Sequence, residues 1–403
     1  MKAITSFRLA LCAAALGAST LLSCQETKIV AYDIPTIDFP INTSERITDH
    51  FKSAHCIQLE CNDDCIIKTI SKIYDVNDTL VILSGDDKVY TFSKKDGRFL
   101  HTIASRGEGP EQYLAASDIT ISPKNEIVVA DNLKRRLAYY TAEGRFVKEE
   151  PIKVSCGYLS RAELTADNSL LFSQKMAGGQ APNATAYCLT DRDKKEKRAE
   201  TGTVEGLQMG NWMMAFAAHP MAKSDSGIAF LKVLNDTIFR MDRQNNIFPL
   251  FKMKTKHDVG SMEALSKYGK YDFASLYHYK NDGNFCPGFT GIYETDKLML
   301  IVPMFIRDDG YYWIDKSTKK GTLIPSCARY DNAIGDMTEG RTILNVVGSN
   351  DKELICAFEE EEIGQLGKTL AKLTGKKPFD KQAIENMRKA DAEGNPLLLF
   401  YEH

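Results

Sequence analysis

No stretch of this chain announces a chemistry. There is no Gly-x-Ser-x-Gly elbow, no His-Glu-x-x-His helix, and no phosphate-cradling loop ending in Gly-Lys-Ser/Thr. The usual sequence signatures of serine hydrolysis, zinc proteolysis and nucleotide binding are therefore missing. Histidine is scarce: His50, His55, His101, His219, His257, His278 and His403 stand apart along the chain and are expected at surface or packing positions. Charge of one sign is not in excess, with 51 Lys and Arg against 54 Asp and Glu, so nothing favours nucleic acid as a partner. Ten cysteines are present, yet the paired Cys-x-x-Cys spacing of a structural zinc site does not occur. Cys56, Cys61 and Cys65 cluster beside His55; buried free thiols or one local Cys61–Cys65 disulfide are both open, and no metal or cofactor is expected.

Long apolar runs are also lacking, apart from Leu9 to Leu22, which is shorter than the ~20 residues a spanning helix needs. Lys2 and Arg8 precede this run, as in a secretory signal. It ends in Leu21-Leu22-Ser23-Cys24, which is similar to a bacterial lipobox. That resemblance implies cleavage before Cys24 and acylation of its thiol. Residues 1–23 then form the lipoprotein signal peptide, and residues 24–44 the lipidated cysteine and a polar tether with Pro35 and Pro40. Loss of Lys2 and Arg8 moves the formal charge from −3 to −5.

What is present is a repeat. Leu80-Val81-Ile82-Leu83, Val89-Tyr90-Thr91-Phe92 and the strand after Asp96-Gly97-Arg98 recur at a constant shift of 47 residues. Ile82 matches Val129, Phe92 matches Tyr139, Gly97 matches Gly144 and Phe99 matches Phe146. Asp-Gly tolerates the positive φ of tight hairpins. Four short strands at this spacing are the mark of a propeller blade. Degenerate copies start at Ser169, Ile228, Leu298 and Glu353, giving six units. One blade cannot bury both of its faces, so the set must close into a ring. The reading is an all-β, six-bladed β-propeller of four-stranded antiparallel blades over residues 45–403, with small helical insertions. An N-terminal strand joins Leu397–Tyr401 to complete the last blade. The main insertion, about 359–393, has Leu366, Leu370 and Leu373 near helical spacing, with a second helix around Ala383–Ala390.

Four stretches in this order resemble the six-bladed β-propeller lipoproteins of Gram-negative bacteria, with NHL-like or TolB-like repeats. They are Leu21–Cys24, Arg106–Tyr113, Asn235–Arg240 and Asn395–Tyr401. The Arg106 loop departs from the common Gly-Pro-Gly-Glu-Tyr form, reading Gly-Pro-Glu-Gln-Tyr. The resemblance implies fold and location more than reaction. It points to a lipid-anchored protein of the cell envelope, at the outer membrane on its periplasmic or surface face.

The expected function is a ligand-binding or protein-interaction scaffold, its partner a small molecule, glycan, peptide or envelope protein at the channel mouth. Arg106, Glu108, Tyr113, Asp118, Trp212 and Asp236 are the candidate ligand-binding residues and Cys24 the lipidation site; no catalytic residue is assigned. The alternative is a metal-dependent hydrolase of the lactonase type, since such six-bladed enzymes gather acids around an axial calcium. Asp118, Asp131, Asp236 and Asp315 lie near repeat strands and would be its ligands. Their plainer reading is as turn and strand-end acids that accept backbone N–H bonds. The aromatic insertion 268–279 and Tyr311-Tyr312-Trp313 either form a stacking platform or pack between blades.

Overall fold

The computed structural model describes residues 33–42, 47–155, 158–175, 185–202, 219–232, 235–255, 258–259, 285–286, 288–303, 310–324, 345–373, 375 and 377–403. Cys24, Trp212 and the aromatic segment 268–279 lie outside them. The described residues form six antiparallel sheets of four strands arranged as a β-propeller. Blades 1 to 5 are continuous in sequence: residues 70–102, 116–151, 158–202, 221–254 and 289–324. Blade 6 is assembled from both ends of the chain. Val346–Ser349 pairs with Glu353–Phe358, which pairs with the C-terminal Leu397–Glu402, and Ser53–Gln58 closes the blade as its outermost strand.

The repeat seen in the sequence is the blade. Thr79–Ser84 and Ile127–Asp131 are the second strands of blades 1 and 2, and Val89–Ser93 and Arg136–Tyr140 the third. Gly97 and Gly144 hold φ of +74° and +80° in the turns that follow. Gly97 also lets two chains meet, because a Cβ there would stand 2.1 Å from the Gln58 carbonyl. The turn between the first two strands of blade 1 is made by Asn77 and Asp78, both with positive φ, the geometry of a two-residue hairpin.

Second and third strands bury both faces, so a hydrophobic cluster fills each junction between neighbouring blades, including blade 6 against blade 1. Tyr311-Tyr312-Trp313 belongs to these junctions. Tyr312 points into the cluster shared with blade 4, while Tyr311 and Trp313 point into the one shared with blade 6. These three rings pack between blades and are not a stacking platform.

The insertion is helical. Helix α1 covers Glu360–Leu373, and α2 covers Lys381–Lys389 with Asp380 as N-cap, its carboxylate accepting from Ala383 N at 2.7 Å. Helix α2 lies on the outer strand of blade 6: Asn386 Nδ2 donates to Cys56 O and Cys56 Sγ to Ala383 O. Cys61 and Cys65 are free thiols, and Cys65 Sγ donates to Glu60 O.

Ahead of the closing strand, residues 35–42 run across the rim of two other blades. Thr36–Asp38 adds a parallel fifth strand to blade 4, against Lys252, Met253 and Lys254. Leu323 N of blade 5 donates to Pro40 O, and Asn42 N donates to Leu323 O. Phe39 is buried between these two blades, edge-on to Tyr312 at 5.1 Å.

Candidate functional site

Antiparallel order gives the ring two unlike ends. At one end the turns within the blades are all short, such as 77–78, 122–126, 225–226, 295–297 and 350–352 in the inner hairpins. Among the described residues, the other end receives the longer connections 59–69 and 103–115 and the helical insertion after Phe358. Loops placed on a rigid scaffold are where binding residues concentrate.

The axis is lined by the innermost strand of each blade. A bulge interrupts this strand at the same height in five blades, between Ile70 and Lys72, Ala116 and Asp118, Leu159 and Arg161, Phe289 and Gly291, and Val346 and Gly348. A bulge re-aims the side chain that follows it. In blades 1 to 3 that residue is charged, and in blades 5 and 6 it is glycine. Gly348 is needed for close approach, since a Cβ would sit 2.5 Å from Ile73 Cγ2.

Lys72 is the hub of this cluster. Its Nζ lies 2.9 Å from Asp118 Oδ2 and 2.9 Å from Glu163 Oε1, and donates to Ile119 O at 2.9 Å. Asp118 also accepts from Ala162 N at 2.7 Å and lies 3.4 Å from Arg161. Glu163 accepts from Tyr74 OH and from Thr120 Oγ1. Burial works to lower the Lys72 pKa, but the two carboxylates outweigh it and hold it above the ordinary lysine range. Glu163 is likewise pulled below the usual carboxylate range by Lys72 and Lys223 against the effect of burial. Lys223 donates to Ile121 O at 3.0 Å, and burial lowers its pKa. Burial, together with Arg161 and Lys72, pushes His219 down to about 3, so its ring is neutral near pH 7. Between these side chains remains a cavity of about 40 Å³, room for a water or two.

Asp118 is the candidate residue that the fold brings to this cluster. Among the other acids considered as calcium ligands, Asp131 accepts from Leu114 N and Lys134 N, Asp315 from Ser317 N and Thr318 N, and Asp236 from Thr237 Oγ1. These are the turn and strand-end roles of short acidic side chains. Among the described residues no group of three metal-ligating side chains comes together.

The Arg106–Tyr113 stretch is a pinned loop at the long-connection end. Arg106 and Tyr113 form a bridge, and Gln112 folds back so that Gly109 N donates to its Oε1 at 3.0 Å. A Cβ at Gly107 would stand 2.2 Å from that oxygen. Lys134 donates to Gly109 O and Gln112 O, Arg136 to Pro110 O, and Tyr140 OH to Glu111 O. Arg106 and Glu108 are exposed, whereas Tyr113 is buried at the junction of blades 1 and 2. Leu133, in the adjoining turn, is 61% exposed, and Ile66, in the 59–69 connection, is 53% exposed. Ile66 borders a groove of about 830 Å³ that also has Lys68, Glu359, Glu360 and Glu393 in its walls.

Lys72, Arg161, Glu163, His219 and Lys223 escape the sequence reading. Their signal is a charged residue inside an apolar inner strand, recurring at about one repeat: Lys72 and Asp118 are 46 positions apart, and Asp118 and Arg161 are 43 apart.

A family model described as "Domain of unknown function (DUF4934)" matches residues 34–402. No curated protein matches the sequence. Among solved structures, a Bacteroides fragilis protein provisionally described as exported has the same fold, with a TM-score of 0.70 at 20% identity over 91% of this chain and 98% of that one. A duf4221 family member from Bacteroides vulgatus gives 0.45 at 10% identity over 87% and 98% of the two chains. Virginiamycin B lyase from Staphylococcus aureus gives 0.38 at 13% identity over 68% and 74%. The first of these speaks to fold alone, and the other two carry no argument.

Proposed function

The chain belongs to the DUF4934 family, and on that premise we propose that it is a lipid-anchored propeller of the cell envelope, acting as a ligand-binding or protein-interaction scaffold through its long-connection end. The observation that carries the reading is the difference between the two ends. Among the described residues, the connections 59–69 and 103–115 with the pinned Arg106–Tyr113 loop, the helical insertion and the exposed apolar side chains of Leu133 and Ile66 lie at one of them. The partner is a small molecule, glycan, peptide or envelope protein. Anchoring is supported by the apolar run and the Leu21–Cys24 motif, and the provisional description of the Bacteroides fragilis protein as exported is in keeping with it. No observation among the described residues favours the hydrolase alternative: the candidate acids Asp118, Asp131, Asp236 and Asp315 do not come together, and Asp118 is paired with the Lys72 ammonium.

Two measurements test the proposal. Cys24→Ala is expected to move the protein from the membrane fraction to the soluble one, and a variant that stays with membranes after a high-salt wash would remove the lipid anchor from the reading. A photo-crosslinking residue at Leu133 is expected to give a discrete adduct in cells, and one at Thr318, on the short-turn end, none. Adducts from Thr318 alone would place the working surface at the wrong end.

A further inference from the structure

The innermost strand of blade 4 carries a lysine that the axial cluster leaves without a counter-charge. Met221–Ser224 is continued backward by His219, which bridges Gly291 of blade 5 and whose backbone N donates to Thr290 O at 3.0 Å. Alternate side chains of an extended chain share a face, and His219, Met221 and Lys223 all line the axial cavity of about 40 Å³. Lys223 Nζ donates to Ile121 O at 3.0 Å and, among the described residues, to nothing else. An ammonium has three N–H bonds to place. The nearby carboxylates are already engaged. Asp118 accepts from Lys72 and Ala162 N, and Glu163 accepts from Tyr74 and Thr120 while pairing with Lys72. Glu163 is close enough to attract Lys223, yet among the described residues no carboxylate reaches ion-pair distance of it. The His219 ring is in the same condition. It lies 5.2 Å from the Tyr293 ring, and among the described residues neither of its nitrogens is hydrogen-bonded. The Tyr293 hydroxyl is committed elsewhere, to Val346 O.

We propose that this cavity binds one small monovalent anion, the size of chloride or of a single carboxylate group, between the Lys223 ammonium and the His219 imidazole. A cation removed from water is costly unless it is paired and hydrogen-bonded, and the anion supplies the partner that the protein does not. A neutral imidazole has one N–H to donate, so His219 gives the anion a second donor beside the spare N–H bonds of Lys223. The space selects for size. Room for a water or two admits a chloride or the end of one carboxylate, but not a sulfate or phosphate with its five heavy atoms. It also selects for charge, because the Glu163 carboxylate stands in the same wall and repels a second negative charge. The rest of the wall is largely apolar, with Ile73, Ile292 and Val347, and an ionic hydrogen bond is stronger in such surroundings than in water. The site is separate from the surface at the long-connection end and does not depend on the lipid anchor.

The test uses the full chain exchanged into sodium gluconate, whose anion is too large for the cavity. Melting temperature is followed as gluconate is replaced by chloride, formate or propionate at constant sodium concentration. A saturable rise of a few degrees is expected. Lys223→Met is expected to lose it, while Lys124→Met, in an exposed turn, keeps it. A rise with chloride and formate alone supports a closed ion site, and a rise with formate and propionate but not chloride supports a site for the acidic end of a larger ligand. No saturable rise with any of the three, or the same rise in Lys223→Met, overturns the proposal. If Lys223→Met does not fold, native crystals soaked in bromide and in formate replace it. A bromide anomalous signal or a formate-shaped density beside Lys223 Nζ supports the site, and water alone in both soaks overturns it.

Discussion

At the scale of single residues, the axial cluster is a set of buried charges that match one another. Lys72 joins three blades: its own, Asp118 of blade 2 and Glu163 of blade 3. Breaking a buried pair by removing one partner leaves the other charge uncompensated, which typically costs about 3–5 kcal/mol. Lys72→Met is therefore expected to lower unfolding stability by about 3 kcal/mol or more in chemical denaturation. A loss below 1 kcal/mol would show the cluster to be solvated. His219 makes a second prediction. Its folded pKa of about 3 lies below the ordinary histidine value of 6.5, so the unfolded chain binds the proton more readily between those two values. Stability is then full above pH 6.5 and falls as the pH drops toward 3. Glu150, held near 2 by Lys148, Lys194 and Tyr139 against the effect of burial, loses its contribution from about 4.5 down to 2. Melting temperature should fall through this acid range, and His219→Gln should flatten the part between pH 6.5 and 4.5. An unchanged slope in that variant would count against a neutral buried imidazole.

At the scale of elements, the outer edges of three blades are covered. An exposed edge strand offers unpaired backbone groups to other chains. A strap of residues 35–42 covers blade 4 through Thr36–Asp38 and reaches blade 5 through Ile41 and Asn42, while residues 378–395 cover blade 6. Ala54 N donates to Pro378 O, and Gln58 Nε2 donates to Asp391 O and Asn395 O. Phe39 is the apolar anchor of the strap. Truncating a buried phenylalanine to alanine costs about 3–5 kcal/mol, so Phe39→Ala should destabilise by about 3 kcal/mol and speed amide exchange at Lys252–Lys254 before the rest of the fold. Exchange at those amides that matches the native protein would show that the strand pairing holds without Phe39.

At the scale of the molecule, the ring depends on a strand at the far end of the chain. Leu397–Glu402 is a middle strand of blade 6, paired with Glu353–Phe358 on one side and Ser53–Gln58 on the other. Five of its residues, Leu397 to Tyr401, are buried. Burying one large apolar side chain contributes roughly 1.5–3 kcal/mol, and the net stability of a domain is only about 5–15 kcal/mol. Deleting residues 395–403 is therefore expected to open blade 6 and give aggregated protein. A soluble monomer melting within a few degrees of the full chain would mean that closure is carried elsewhere.

The chain alone determined its period, the tight turns at Gly97 and Gly144, the six units, the two helices of the insertion, and the pairing of an N-terminal strand with the C-terminal one. These follow from local chemistry: alternation of apolar side chains, residues that accept positive φ, and an apolar tail that needs cover. The Arg106–Tyr113 loop was legible as a turn, and its glycines as backbone necessities. Which charges meet on the axis was not legible. Lys72, Asp118 and Glu163 are each one repeat apart, and only the bulges and the curvature of the ring turn them toward a common point. The same is true of Tyr311-Tyr312-Trp313, whose alternation divides the three rings between two blade junctions. The strap was hidden for another reason. Its alternation of Ile37, Phe39 and Ile41 is short and broken by Pro40, and it is a strand only because blades 4 and 5 offer it an edge.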